Sequence, residues 1–135
     1  MKAVFADTFY FLALTSSKDP AHAEAVDYTR NSTAELVTTG WVILELADAM
    51  AQPNRRRQFQ ELFRSLEEDP LCRIIPVNQS TFERGLKRFF ERPDKEWSLT
   101  DCLSFVVMES EGIQEALTGD HHFTQAGFVS LFENF

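Results

Sequence analysis

Short apolar runs alternate along the chain with longer stretches of helical period. Ala3 to Ala6 is an unbroken apolar run stopped by Asp7, the pattern of a strand buried on both faces. Thr8 to Leu14 stays apolar and predicts the first turns of a helix, broken at Ser16-Ser17-Lys18-Asp19-Pro20. Ala21 to Arg30 is Ala-rich and predicts a second helix. Leu36 to Thr38 predicts a second strand, and Thr39 a cap for a helix from Gly40. In that helix Ile43, Leu46, Ala47 and Met50 recur at core-facing spacing, and Pro53 marks its end. Asn54 is the expected cap of a helix from Arg55 to about Glu68, with Phe59, Leu62, Phe63 and Leu66 as its apolar stripe. Cys72 to Val77 predicts a third strand. Ser80 to about Glu91 predicts a helix that buries Phe82, Leu86, Phe89 and Phe90. Ser98 is the expected cap of a helix reaching Gly112, whose middle, Cys102 to Met108, is apolar enough to be enclosed on most sides. Ala116 to Thr118 predicts a fourth strand, Gly119-Asp120 a turn, and Phe128 to Phe132 a fifth strand.

Strands separated by helices imply right-handed crossovers and a parallel sheet covered on both faces. The expected class is α/β, a three-layer α/β/α sandwich around a central parallel sheet of about five strands. The length of 135 residues fits one domain, 1–135, and neither repeats nor linkers interrupt it.

Composition adds a constraint. The chain carries 21 acidic and 13 basic side chains, a net charge of −8. Such a balance argues against a general nucleic-acid coat protein or a membrane-surface binder, and permits a cation-binding enzyme. The charge is segregated. Residues 1–53 hold 3 bases and 7 acids, residues 54–95 hold 10 and 7, and residues 96–135 hold no base and 7 acids. Cys72 and Cys102 sit in apolar surroundings without metal spacing and are expected as buried thiols in a reducing cytoplasm. No apolar run approaches the ~20 residues of a membrane span.

Four carboxylates interrupt otherwise uncharged stretches. Asp7 follows the first strand, Glu45 stands within Trp41 to Ala47, Asp101 opens the most apolar helix, and Asp120 follows the fourth strand. In an open parallel sheet the crevice beyond the carboxyl ends of the strands is the usual binding place, and Asp7 and Asp120 open there. Each acid also has a plainer role. Asp101 completes a capping box with Ser98, Asp7 and Asp120 suit turns, and Glu45 competes with Asp48 for a solvated helix face. Two unit charges ~4 Å apart repel by about 4 kcal/mol at an effective dielectric of 20, so converging carboxylates need cations or protons. Mg²⁺ or Mn²⁺, as one ion or two, suits such hard oxygen donors and supports phosphoryl chemistry.

At these residues the sequence resembles the PIN domains of VapC-type toxins. The segments that carry the likeness are VFADTFYFLAL around Asp7, TTGWVILELADAM around Glu45, WSLTDCLSFVVMESEGI around Asp101 and EALTGDHHFTQAGFVSLF around Asp120. They span nearly the whole chain. The resemblance implies a metal-dependent endoribonuclease, with metal-site roles for Asp7, Asp101 and Asp120 and with Glu45 as the fourth acid. It places Thr8 and Thr118 as small polar supports. It further implies a homodimer silenced by a cognate antitoxin, in the cytoplasm. His121 and His122 fall where the family varies. Exposed loop histidines are the plain expectation, and contact with phosphate or with a softer metal is the alternative.

A nuclease with an acidic centre needs cationic surface for its substrate. Arg55, Arg56 and Arg57 cluster at one helix start, and Arg84, Lys87 and Arg88 share one helix side. These six are the candidate RNA contacts. Glu61, Glu83 and Glu91 are positioned to engage them in salt bridges instead, and Arg55 to Arg57 also suit docking of a subunit or antitoxin. Glu109, Glu111 and Glu115 find no role and are expected as solvated surface. A processing nuclease without toxin behaviour, or a PIN-like interaction module, is the competing reading. A phospho-receiver domain is excluded, because the third strand leads to Asn78 rather than Asp and no Lys or Arg follows Lys95.

Overall fold

The computed structural model describes residues 2–132. Among them five parallel strands form one sheet in the order β3-β2-β1-β4-β5. The strands are β1 (Ala3–Ala6), β2 (Glu35–Thr39), β3 (Cys72–Ile75), β4 (Glu115–Leu117) and β5 (Val129–Ser130). The helices are α1 (Thr8–Thr15), α2 (His22–Asn31), α3 (Gly40–Ala49), α4 (Pro53–Glu68), α5 (Gln79–Glu91), α6 (Leu99–Glu111) and α7 (His121–Gln125). This is the expected α/β sandwich. The order reverses at β1: β2 and β3 lie on one side of it, β4 and β5 on the other.

β1 is central, and Val4, Phe5 and Ala6 are buried, as its unbroken apolar run requires. α6 is the enclosed helix that its composition predicts: every residue from Asp101 to Met108 is buried. Phe105 at its centre meets Trp97 at 5.2 Å, Phe123 at 5.0 Å and Phe128 at 5.6 Å between ring centroids. These aromatic contacts fasten α7 to α6.

The structure corrects several local expectations. Pro53 does not end α3, which stops at Ala49. It opens α4 at the first helical position, where its missing N–H costs nothing, and Gln52 rather than Asn54 is the cap. The buried stripe of α3 is Val42, Leu46 and Met50, with Ile43 and Ala47 half-buried beside it. β3 ends at Ile75 because Pro76 cannot donate to the ladder. β5 is only Val129–Ser130, although Phe128 and Phe132 on either side are buried. The sequence pattern assigns no element to His121–Gln125, which form α7 after the Gly119-Asp120 turn; Asp120 caps it by accepting from the His122 backbone N–H at 2.9 Å.

The largest correction concerns α5. Its expected core stripe stays largely outside: Phe90 is 70% and Phe89 41% exposed, and Phe82 and Leu86 are half-buried. The helix packs on α6 through Gly85, where an added Cβ would lie 2.4 Å from Leu103 Cδ2. Arg88 lies over the Phe105 ring and pairs with Glu109 at 2.6 Å. The missing side chain at Gly85 allows a close approach along an edge that the apolar periodicity does not mark.

The three acids without a role also find cations. Glu109 pairs with Arg88, Glu111 with Arg73 at 2.5 Å and Glu115 with Lys2. Such exposed pairs each contribute little to stability, but they knit the acidic C-terminal third to the rest of the chain. Both cysteines are free. Cys102 is buried, and burial holds the half-buried Cys72 thiol at about 11. Among the described residues no helix is long and apolar enough to cross a membrane.

Candidate active site

The adjacency of β1 and β4 makes a topological switch point, where the following loops diverge and leave a crevice. Asp7 follows β1 directly, and Thr118 and Asp120 follow β4. Asp101 stands in the first turn of α6 and Glu45 on α3, and the charges of both act on Asp7.

Asp7 is buried, and its side chain does not cap α1. Its Oδ2 accepts the Thr118 hydroxyl at 2.9 Å, across 111 residues of sequence. Desolvation by burial raises its pKa to about 7; the Thr118 hydroxyl opposes this, Asp101 adds repulsion, the Thr8 backbone N–H opposes again, and Glu45 repels further. Thr118 also accepts the Asp120 backbone N–H at 3.0 Å, so one buried hydroxyl ties the two strand-end acids together. Across the crevice Thr8 donates its hydroxyl to Glu45 Oε1 at 2.5 Å. Glu45 is half-buried and turned inward, whereas Asp48 on the same helix is exposed.

Asp101 forms the capping box: its Oδ2 accepts the Ser98 N–H at 3.1 Å, and its own N–H donates to Ser98 Oγ at 3.0 Å. The plainer role is therefore real, and it coexists with another. The same oxygen lies 2.9 Å from His122 Nδ1, which is also 3.3 Å from Asp120 Oδ1. Burial raises the pKa of Asp101, the Ser98 N–H and His122 oppose this, and Asp120 adds repulsion. Repulsion thus runs from Glu45 and Asp101 to Asp7, and from Asp120 to Asp101.

This donor set fits a divalent cation. Four carboxylates from four different elements lie near enough that Asp7 feels the charges of Asp101 and Glu45, and Asp101 that of Asp120. Two of them are buried, and both are held away from their ionised form by burial and mutual repulsion. A hard cation would relieve both penalties at once. Asp7, Asp101 and Asp120, with Glu45 alongside, are the expected holders; among the described residues, the group whose donor atoms all lie within 4.8 Å of one another is Asp120, His121 and His122.

Residues 4–129 match the PIN domain family. The chain belongs to that family. A curated relative, the 23S rRNA-specific endonuclease VapC20 of Mycobacterium tuberculosis, is 26% identical over 130 residues, covering 95% of this chain and 97% of that protein. The crystal structure of VapC20, described as a sarcin-ricin loop cleaving toxin, superposes with a TM-score of 0.86 at 25% identity, over 95% of this chain and 98% of that one. FitAcB from Neisseria gonorrhoeae is similar in fold, with a TM-score of 0.66 at 16% identity over 96% of each chain. VapBC2 from Rickettsia felis, bound to a DNA fragment from the promoter, is similar in fold too, with a TM-score of 0.66 at 13% identity over 97% of this chain and 98% of that one.

In this PIN domain the six candidate RNA-binding bases do not gather at the carboxylates. Arg55 donates to Thr15 Oγ1 at 3.2 Å, at the far end of α1, roughly 10 Å along the helix from Thr8. Arg56 donates to the Ala51 carbonyl at 2.7 Å, and Arg57 pairs with Glu61 at 3.4 Å. Arg84 donates to Ser110 at 3.1 Å and Arg88 to Glu109, both roughly 12 Å along α6 from Asp101. Lys87 lies 3.9 Å from Glu91. His122, singled out in the sequence without a settled role, is set against Asp101 and Asp120. Lys95, to which the sequence gives no role, lines a cleft with Asp94, Glu96, His121 and His122. It stands between helices, where a search for helical charge clusters does not look.

Proposed function

We propose that the chain is a divalent-metal-dependent endoribonuclease that hydrolyses RNA phosphodiester bonds, and that it is the toxin of a type II toxin–antitoxin pair. The observation that supports this reading is the Thr118 hydroxyl joining Asp7 and Asp120 beyond β1 and β4, with Asp101 and Glu45 near enough to repel the buried Asp7 carboxylate. The likeness to VapC20 along nearly the whole of both chains supports it and makes large-subunit ribosomal RNA the first substrate to test.

A bound Mg²⁺ or Mn²⁺, as one ion or two, would supply positive charge to the phosphate oxygens and lower the pKa of a water at the site. The side chains do the remaining work. Thr118 fixes the carboxylate of Asp7, and the Ser98 N–H fixes that of Asp101. Asp120 is set by the His122 N–H, and Glu45, steadied by Thr8, takes a proton from the attacking water. Lys95, beside the site, meets the first backbone phosphate. Arg55, Arg56 and Arg57 serve a longer RNA. Arg84 and Arg88, already engaged with α6, are weaker candidates, as is Lys87.

The reading includes a cognate antitoxin, a cytoplasmic location beside the RNA, and a homodimer. The apolar side chains of α5 that the fold leaves outside, with Val77 and Leu44 exposed at 58% and 59%, support a covered face. Cleavage of total RNA by the purified chain, with Mn²⁺ or Mg²⁺ and with EDTA, beside Asp101→Asn, tests the activity. Cleavage that persists in EDTA or in the variant refutes it. Induced expression with and without the neighbouring reading frame separates a toxin from a processing nuclease.

A further inference from the structure

The proposed centre is not made of oxygen alone. His122 Nδ1 stands between two of its carboxylates, 2.9 Å from Asp101 Oδ2 and 3.3 Å from Asp120 Oδ1. Donors in adjacent positions of an octahedral ion, each at about 2.1 Å, lie about 3.0 Å apart. Both separations are close to that edge. The imidazole is 17% exposed, and its neighbour His121 packs on it with 4.5 Å between ring centroids. Donor atoms of Asp120, His121 and His122 all lie within 4.8 Å of one another. His121 is the weaker candidate, because its side chain is 73% exposed and its Nδ1 is 3.7 Å from Asp120 Oδ1.

We propose that His122 is a direct nitrogen ligand of a cation held with Asp120 beside Asp101, so that the site is a mixed imidazole–carboxylate centre that favours Mn²⁺ and Co²⁺ over Mg²⁺. Imidazole is a poor partner for Mg²⁺ and a good one for later first-row ions, whose affinities for nitrogen rise along the series. α7 supplies the geometry. Phe123 is locked against Phe105 and Phe5, and this fixes the adjacent His122 relative to Asp101 on α6. A short helix that the sequence pattern does not mark thereby acquires a chemical purpose. The inference rests on the proposed metal-dependent nuclease and narrows which ion serves it.

The test uses the full chain freed of metal and then loaded with Mn²⁺. Pulsed EPR of the bound Mn²⁺ reads nitrogen coupling directly, and calorimetry reads the affinities for Mg²⁺, Mn²⁺ and Co²⁺. The wild type is expected to show ¹⁴N coupling that is lost in His122→Asn and kept in His121→Asn. His122→Asn is expected to weaken Co²⁺ and Mn²⁺ by about tenfold or more while Mg²⁺ changes by less than about threefold. Mn²⁺ bound without ¹⁴N coupling overturns the inference, as does coupling that survives in His122→Asn. An equal loss for all three ions overturns it as well, because it assigns His122 to positioning the carboxylates. In each of those outcomes metal-dependent RNA cleavage can stand. A chain that binds none of these ions refutes the nuclease reading together with this inference.

Discussion

Asp7→Asn should make the metal-free protein more stable above about pH 4, with a gain that grows up to about pH 7. Burial and the neighbouring acids hold the Asp7 carboxyl at about 7 instead of the ordinary 3.8. Between those values the folded chain keeps a proton that the unfolded chain has lost. Stability therefore falls as pH rises through the window, and the full penalty persists above about 7. Roughly three pH units at 1.36 kcal/mol each amount to about 4 kcal/mol, an upper bound because the site can relax or admit water. Asparagine keeps an oxygen for the Thr118 hydroxyl but must bury an amide, so the net gain expected is about 1–3 kcal/mol. For a chain of this size that is about 3–12 °C in Tm. Thermal unfolding of wild type and variant in EDTA at pH 4, 6 and 8 measures it. The difference should be near zero at pH 4 and largest at pH 8, and added Mn²⁺ should raise the Tm of wild type far more than that of the variant. A variant no more stable than wild type at pH 8, or a difference independent of pH, would refute the argument that Asp7 is held under electrostatic stress.

Three further outcomes follow from the packing. Phe123→Ala removes the ring that joins α7 to Phe105 and Phe5, and should cost about 3–5 kcal/mol by chemical denaturation. Gly119→Ala places a Cβ 2.6 Å from Phe9 Cζ and displaces the turn that carries Asp120; cleavage should fall at least about tenfold while thermal unfolding moves by only a few degrees, and unchanged cleavage would show the turn to be tolerant. Phe90→Glu alters an exposed side chain, so it should leave monomer stability within about 0.5 kcal/mol while light scattering shows a dimer converted to monomer. A variant that remains dimeric would place the dimer contact elsewhere.

The main elements of the fold were legible because buried strands and the enclosed α6 leave signals of composition that no partner is needed to interpret. The four acids stood out for the same reason, as charges inside apolar runs. What periodicity could not supply was which helix side meets a neighbour. α5 is strongly amphipathic, yet its contact with α6 runs through Gly85 and Arg88, which depends on the shape of Leu103 and the charge of Glu109. α7 was hidden because a five-residue helix holds too few periods to register, and its stability comes from Phe123 packing rather than from local propensity. His122 was noticed but not placed, because its bond to Asp101 spans 21 residues and needs both α6 and α7 in position.

The bond between Thr118 and Asp7 has a temporal meaning as well as a spatial one. β1 is made first and β4 late, and in the sheet the two lie side by side, with β2 on the other flank of β1. A growing chain that has not yet delivered β4 and Asp120 carries at most three of the four acids and lacks the hydroxyl that orients the first. The orientation of the Asp7 carboxylate thus depends on a residue made 111 positions later.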